Sequence, residues 1–314
     1  MLRIGLPGVL ALAHCTDVGG DLVVVGPDGG DEFVVVWVTG TGARVVDLDV
    51  VLSEAQRYAN PTVVAHPDGG VVVLAGVDRA VFVAGPDAAP VPLRVTGLDR
   101  LATVRPLPLM HGGSAVSDSP VWHLVLSHGN LMGDLRYAAP LRVDLAERAV
   151  HWEAEPWQLA PDDFPVDLAG IPEHDPHVSL SATLLRAGVR YVCSEGSRIR
   201  NNIGSGADFF GCVTLAADGT VAEWIHQASG WRQISGKWAI RGRFTGCGDY
   251  ALLAPVFRRL WNGRTRVLRL ADGELLTPRL PRGLTNAEIL DHHPERGWWL
   301  RLDDEVVAVP DIVG

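Results

Sequence analysis

The sequence lacks the features that mark a membrane-bound or nucleic-acid-binding protein. Its 314 residues include one lysine, Lys237, and 26 arginines, 27 cations in all, and the formal net charge is −10. Nucleic acids and anionic membrane surfaces require a basic face, so neither is an expected partner. No apolar run approaches the ~18 residues of a membrane span, and Pro7 and Gly8 interrupt the N-terminal stretch that resembles a signal sequence. We therefore expect a cytoplasmic protein.

Cysteine is also scarce, and its spacing excludes the common cysteine-based sites. The four cysteines are Cys15, Cys193, Cys212 and Cys247, and no two of them form a CxxC pair. The spacing therefore indicates neither a zinc ribbon nor a disulfide framework. Three of the four lie in apolar runs, so we expect buried free thiols. No metal and no cofactor is predicted.

Helical periodicity is almost absent, whereas short apolar runs bounded by glycine, proline and aspartate recur along the whole chain. Hydrophobic residues make up 47% of the sequence, enough for a large core. Asp-Gly pairs between such runs are typical of turns that join antiparallel strands. The Asp-Gly segments are GPDGGD (26–31), HPDGG (66–70), AADGT (216–220) and LADGE (270–274). The pattern predicts an all-β protein.

The predicted strands fall into groups of four, with a repeat of about fifty residues that is typical of propeller blades. The first strands of five groups are expected near 9–15, 61–66, 101–107, 177–185 and 238–244. A last group, 286–309, has three strands, and residues 2–6 could complete it. We predict a single β-propeller domain over residues 1–314, with six blades and a ring closed by the N-terminal strand. Five blades and a pair of β-sandwiches are the alternatives.

Two stretches resemble the blades of sialidase-like and five-bladed glycosidase propellers. DPHVSLSATLLRAGVRYVCSEG, followed by ADFFGCVTLAADGTVAEW, has an Asp-Pro at the start of an inner strand and Ser-Glu-Gly at the end of the next. NPTVVAHPDGGVVVLAG (60–76) has the same shape with Asn-Pro. The resemblance implies a propeller fold and chemistry of the glycoside-hydrolase or lyase type.

The segment EHDPH places imidazole and carboxylate groups where the fourth inner strand begins. His177 and Asp175 share one face of an extended chain, and a histidine beside a carboxylate suits acid–base catalysis near neutral pH. A metal site that recruits His66 and His128 is a second interpretation, and a plain polar turn is a third. The catalytic candidates are His177, Asp175, His174 and, as a proton donor, Tyr58.

The segment SRIRNNIGSG is the second informative stretch. Its arginines can bind a carboxylate or phosphate in a forked geometry, although a solvated blade loop has the same composition. In a propeller, this loop and the loops that lead into the inner strands lie on one face. The substrate-binding candidates on that face are Arg198, Arg200, Asn201, Asn202, Lys237, Asn60 and His128.

These residues predict an enzyme that acts on an anionic polar substrate in the mouth of the channel. The substrate would be a small molecule or an oligosaccharide, and the reaction would be that of a lyase or a hydrolase. The alternative is a non-catalytic propeller that binds a ligand or a protein. The sequence leaves the substrate, the reaction and the oligomeric state open.

Overall fold

The protein is all-β in the part of the chain that the structure, a computed structural model, describes. The described residues are 2–5, 14–27, 32–51, 61–103, 109–110, 114–128, 135–158, 177–197, 205–216, 220–233, 240–255 and 265–314. They form 25 strands and a 3₁₀ helix at Leu98–Thr103. None of the helical structure among them has the length and hydropathy of a membrane span.

The strands follow one another along the chain in antiparallel groups of four. Group 1 is β2 (His14–Val18), β3 (Asp21–Pro27), β4 (Glu32–Thr39) and β5 (Gly42–Val51); group 2 is β6 (Thr62–Ala65), β7 (Val71–Leu74), β8 (Ala80–Val83) and β9 (Val91–Thr96). Group 3 is β10 (Leu109–Met110), β12 (Val121–His128), β13 (Leu135–Asp144) and β14 (Ala149–Trp152), with β11 (Ser114–Ser117) between its first two strands in sequence.

The second half of the chain repeats this arrangement. Group 4 is β15 (His177–Arg186), β16 (Val189–Ser197), β17 (Ser205–Leu215) and β18 (Val221–Gln233). Group 5 is β19 (Ile240–Phe244), β20 (Tyr250–Pro255), β21 (Arg266–Arg269) and β22 (Leu275–Leu276). Group 6 is β23 (Glu288–His293), β24 (Gly297–Leu302), β25 (Glu305–Val309) and β1 (Leu2–Gly5).

Strand pairing links some of these groups to one another and closes the last one. β1 pairs antiparallel with β25, so strands from both ends of the described chain share one sheet, as predicted. β9 pairs in parallel with β14 and so joins groups 2 and 3 into an eight-stranded sheet. β11 pairs in parallel with β15 and adds a fifth strand to group 4.

Each group buries apolar side chains on both faces, which explains why its strands read as continuous apolar runs. In β7, Val71 and Val73 pack toward group 1, while Val72 and Leu74 pack toward group 3. In β24, Trp298 packs toward group 5 and Trp299 toward group 1. A sheet covered on both sides must lie between two neighbours.

The apolar clusters of the described residues connect the groups in a closed series. Each consecutive pair of groups shares one cluster, and group 6 shares one with group 1. One contact pair from each cluster, in chain order, is Val35 with Val71, Leu74 with Trp122, Val125 with Val192, Leu184 with Phe244, Val267 with Trp298, and Trp299 with Leu22. This series is a propeller-like arrangement of sheets.

The strand predicted at 101–107 is wrong at its start. Residues 98–103 form the 3₁₀ helix, in which the Arg100 N–H donates to the Gly97 carbonyl at 3.1 Å. Leu98 and Leu101 are three residues apart, which suits a 3₁₀ turn that packs both against the cluster between groups 2 and 3. Gly97 has a φ of +74°, and a Cβ there would meet the Trp152 carbonyl oxygen at 2.4 Å.

Candidate functional site

The two edges of the sheets differ in the length of the connections that they carry. At one edge, strands are joined by short turns, such as Gly19–Gly20 before β3 and Ala187–Gly188 before β16. At the other edge, the chain leaves each group through longer segments, such as 52–61 before β6 and 153–176 before β15. We call these the short-turn edge and the long-connection edge. Long connections supply most binding residues in folds of this kind.

Two of the residues predicted for the site lie in described strands at the long-connection edge. His177 is the first residue of β15, and its backbone pairs with Ser197, the last residue of β16. His128 is the last residue of β12 and pairs with Leu135. The other candidates lie outside the described residues: Tyr58, Asn60, His174, Asp175, Arg198, Arg200, Asn201, Asn202 and Lys237. That these residues form one site stays a prediction.

The short-turn edge holds a buried polar network that the sequence analysis did not predict. Asp291, in β23, is 2% exposed and accepts three backbone hydrogen bonds. Its Oδ2 accepts from the Asp17 N–H at 3.0 Å, and its Oδ1 accepts from the Gly246 and His292 N–H groups at 2.5 and 2.8 Å. One carboxylate therefore joins groups 1, 5 and 6.

Asp17, in β2, is a second buried carboxylate beside the first. Its Oδ1 accepts from the Gly20 N–H at 3.0 Å, and its Oδ2 accepts from the Trp299 indole N–H at 3.2 Å. The His293 imidazole lies 3.9 Å from Oδ1. Burial raises the pKa of Asp17, while the Gly20 hydrogen bond and the charge of His293 oppose that rise.

Arg243, in β19, places a cation beside these carboxylates, as the sequence analysis allowed when it paired Arg243 with Asp291. Its guanidinium donates to the carbonyl of Ile289 at 2.9 Å, to the carbonyl of Leu290 and to the Cys15 sulfur at 3.3 Å. Burial raises the pKa of Asp291 to about 7, and the charge of Arg243 acts against this rise. The hydrogen bonds of the network go mostly to backbone groups, so its chemistry is that of a clamp between sheets.

The expected state of the cysteines is confirmed. Cys15, Cys193 and Cys212 are free and buried, and Cys247 is free and partly exposed. Burial raises the pKa of Cys15 to about 12, so this thiol is protonated at neutral pH. The expectation that GWWLRLDD (297–304) packs a sheet and ends in an acidic turn is also confirmed, because Trp298 and Trp299 are buried whereas Asp303 and Asp304 are exposed.

Comparison with known proteins adds little to this geometry. No protein-family profile matches the sequence, and no curated protein matches it. Among solved structures, the WD40 domain of SCAP from fission yeast is 10% identical to this chain. The alignment covers 98% of this chain and 74% of that domain, with a TM-score of 0.31. The propeller-like arrangement therefore stands on strand pairing and packing alone, and the resemblance to sialidase-like propellers stays a prediction.

Proposed function

We propose that this protein is a six-bladed β-propeller that binds an anionic, sugar-like ligand at its long-connection edge and acts on it by acid–base chemistry. Six strand groups and a closed series of six interfaces among the described residues support the blade count. The five-bladed alternative would leave one of these groups outside the ring.

The register of group 4 is the observation on which the ligand site depends. Because His177 pairs with Ser197, the start of β15 lies beside the end of β16. Ser197 is followed directly in sequence by Arg198 and, two residues later, by Arg200. A protein of net charge −10 that gathers cations at one strand edge suits a ligand with a carboxylate or phosphate group.

Acid–base catalysis by His177 is the reactive part of this proposal. Asp175, two residues earlier, would orient the imidazole, and Tyr58 would donate a proton. His174 is the second imidazole of the segment, while Lys237, Asn60, His128, Asn201 and Asn202 would contact the ligand. Proton abstraction beside a sugar carboxylate needs this set and no second acid, so a lyase fits better than a hydrolase.

Binding is tested by replacing the two arginines together. We expect Arg198→Ala with Arg200→Ala to raise the Kd for oligogalacturonate about tenfold or more, since each hydrogen bond to a charged group contributes about 1.5–3 kcal/mol. The matched control is Arg44→Ala with Arg94→Ala, which removes the same charge from exposed outer strands. Equal Kd values for the two double variants, measured by calorimetry, or no binding by the unchanged protein, would contradict the proposed site.

Catalysis is tested separately with His177→Asn. A lyase releases an unsaturated product that absorbs in the ultraviolet, and we expect this variant to lose at least about a hundredfold in kcat, the lower range for acid–base catalysis. If the unchanged protein binds the oligosaccharide without turnover, the alternative of a non-catalytic binding propeller is correct.

A further inference from the structure

Three side chains with metal-binding groups meet at the short-turn edge, away from the proposed ligand site. Cys247 and Asp249 lie in the turn between β19 and β20, and His292 lies in β23 of the neighbouring group. The Cys247 sulfur is 3.3 Å from the His292 Nδ1, and a carboxylate oxygen of Asp249 lies within 4.8 Å of both atoms. All three residues are partly exposed.

The backbone around this cluster is fixed by hydrogen bonds that do not use the ligand atoms. The Oδ1 of Asp291 accepts from the N–H of Gly246, the residue before Cys247, and from the N–H of His292 itself. A Cβ at Gly246 would meet the Asp17 nitrogen at 2.6 Å, so only glycine fits there. The same carboxylate thus sets the positions of both segments, which is the preorganisation that a metal site requires.

The surroundings also suit a cation. The rings of Tyr250 and Trp298 lie 4.8 and 4.5 Å from the His292 ring and limit its orientation. The Arg186 guanidinium donates to the Asp249 Oδ1 at 3.1 Å and to the Cys247 carbonyl at 2.8 Å, which leaves the second oxygen of Asp249 for a metal. The negative charge of Asp311 also acts on His292.

We infer that Cys247, His292 and Asp249 bind a divalent transition metal ion of the zinc type, with the fourth position open to solvent. Thiolate, imidazole and carboxylate together are a set that zinc accepts and that calcium and magnesium do not prefer. Tetrahedral zinc places a thiolate sulfur and an imidazole nitrogen about 3.6 Å apart, close to the separation seen between Cys247 and His292. Three protein ligands and an open position are typical of reactive rather than structural zinc sites.

A cysteine–histidine nucleophile is the competing interpretation of the same residues. A reactive thiolate needs a depressed pKa, whereas burial raises the pKa of Cys247 to about 12. Burial lowers the pKa of His292, which keeps the imidazole neutral, the form that binds metal. A bound metal ion would displace the thiol proton, so uptake releases protons to the solvent.

Cobalt provides the test, because a thiolate ligand to Co²⁺ gives a charge-transfer band that histidine and carboxylate ligands do not. The full chain, freed of metal with a chelator, is titrated with Co²⁺ and then with Zn²⁺. We expect one thiolate–cobalt band that saturates at one ion per chain and disappears as Zn²⁺ displaces the cobalt. A protein that shows no such band with excess Co²⁺ overturns the inference.

Matched variants assign the band to this cluster. Cys247→Ala should abolish it, and Asp249→Asn or His292→Asn should weaken Co²⁺ binding at least tenfold. Cys193→Ala and His151→Gln, which change residues of groups 4 and 3 outside the cluster, should leave the band unchanged. If the circular dichroism spectrum shows that Cys247→Ala does not fold, the other two variants decide. A band that persists in Cys247→Ala, or Co²⁺ binding unchanged in both other variants, contradicts the assignment. The outcome does not depend on the ligand site at the long-connection edge.

Discussion

At the scale of single residues, Asp291 is the most constrained group in the described structure. It is buried, it accepts hydrogen bonds from three backbone N–H groups, and it lies between the guanidinium of Arg243 and the carboxylate of Asp17. Breaking such a group leaves buried donors without acceptors, which costs more than the hydrogen bonds themselves contribute. The residue therefore couples the stability of three groups of strands to one protonation equilibrium.

Stability should fall as pH rises from about 4 to 7. The pKa of Asp291 is raised from 3.8 to about 7 in the folded state, so the folded protein binds this proton more tightly than the unfolded chain. The free energy of unfolding then decreases by up to about 1.4 kcal/mol per pH unit in this window. Urea denaturation at several pH values measures the slope, to which Asp17, Arg243 and His293 also contribute.

Asp291→Asn is the variant that isolates this effect. It removes the titrating group, so the slope between pH 4 and 7 should become shallower although the variant is less stable overall. A carboxylate at the surface, Asp144, has its pKa lowered by the backbone hydrogen bond from Glu147, and Asp144→Asn should leave the slope in this window unchanged. An Asp291→Asn slope equal to that of the unchanged protein would refute the assignment.

Gly246 is a second residue whose identity the packing dictates. A Cβ there would meet the Asp17 nitrogen at 2.6 Å and the Asp291 Oδ2 at 2.9 Å, and neither atom belongs to a flexible chain end. We expect Gly246→Ala to lower the free energy of unfolding by about 2 kcal/mol or more. Gly85→Ala is the control, because a Cβ at Gly85 meets nothing within 4 Å. Equal stabilities of the two variants in urea would show that the site adapts.

At the scale of elements, strand β1 is the shortest route by which the chain secures its own ring. Ile4 is buried with residues of groups 1 and 6, whereas Arg3 points outward and pairs with Glu305 at 3.3 Å. Both partners of this ion pair are about half exposed, and such pairs contribute little to stability. The strand is therefore held by its apolar side chain and by its backbone pairing.

Two substitutions in β1 separate these contributions. We expect Ile4→Ala to cost about 2–3 kcal/mol of unfolding free energy and Arg3→Ala less than about 1 kcal/mol. Hydrogen exchange in β25 should accelerate in Ile4→Ala, because loss of β1 frees that edge. Equal costs for the two variants would mean that the burial of Ile4 does not hold the strand.

The strand groups could be predicted from the sequence because local signals agree with the fold. Asp-Gly turns and apolar runs place β7, β24 and their neighbours close to their observed bounds. The interpretation failed where the local signal was ambiguous: LDRLAT has apolar residues three apart and forms a 3₁₀ turn. β11 was missed because its four residues pair in parallel with a strand of another group, a contact that local pattern does not show.

The polar sites could be predicted only in part. His177 stood out because it follows an Asp-Pro step at a strand start, which is a local feature. Asp17, Gly246 and Asp291 are far apart in sequence and look ordinary there, since only strand pairing brings them together. The same holds for Cys247 and His292, which are 45 positions apart and meet across two groups.

At the scale of the whole molecule, the described chain begins and ends in one sheet. Leu2 pairs with Ala308, and only five residues separate Val309 from Gly314. A short linker from Gly314 to Met1 can therefore join the ends, and new ends can be opened in an exposed turn.

A circular permutant that begins at Gly188 should fold. Ala187 and Gly188 form a two-residue exposed turn, so the cut removes no buried contact. The control permutant is cut between Val192 and Cys193, both of which are fully buried in β16. We expect cooperative thermal unfolding and a β-sheet circular dichroism spectrum for the first permutant and neither for the second. Aggregation of both would argue that closure needs β1 as a free end.

The pairing of β1 with β25 also has a consequence for the order of events during synthesis. Arg3 and Glu305 are 302 positions apart, so at ordinary rates of translation β1 waits roughly 15 to 60 seconds for its partner to leave the ribosome. Throughout that interval Ile4 has no sheet to join, and the ring has an open gap that a chaperone or a second nascent chain can occupy. The part of the sheet that is made early is therefore among the last to be put in place.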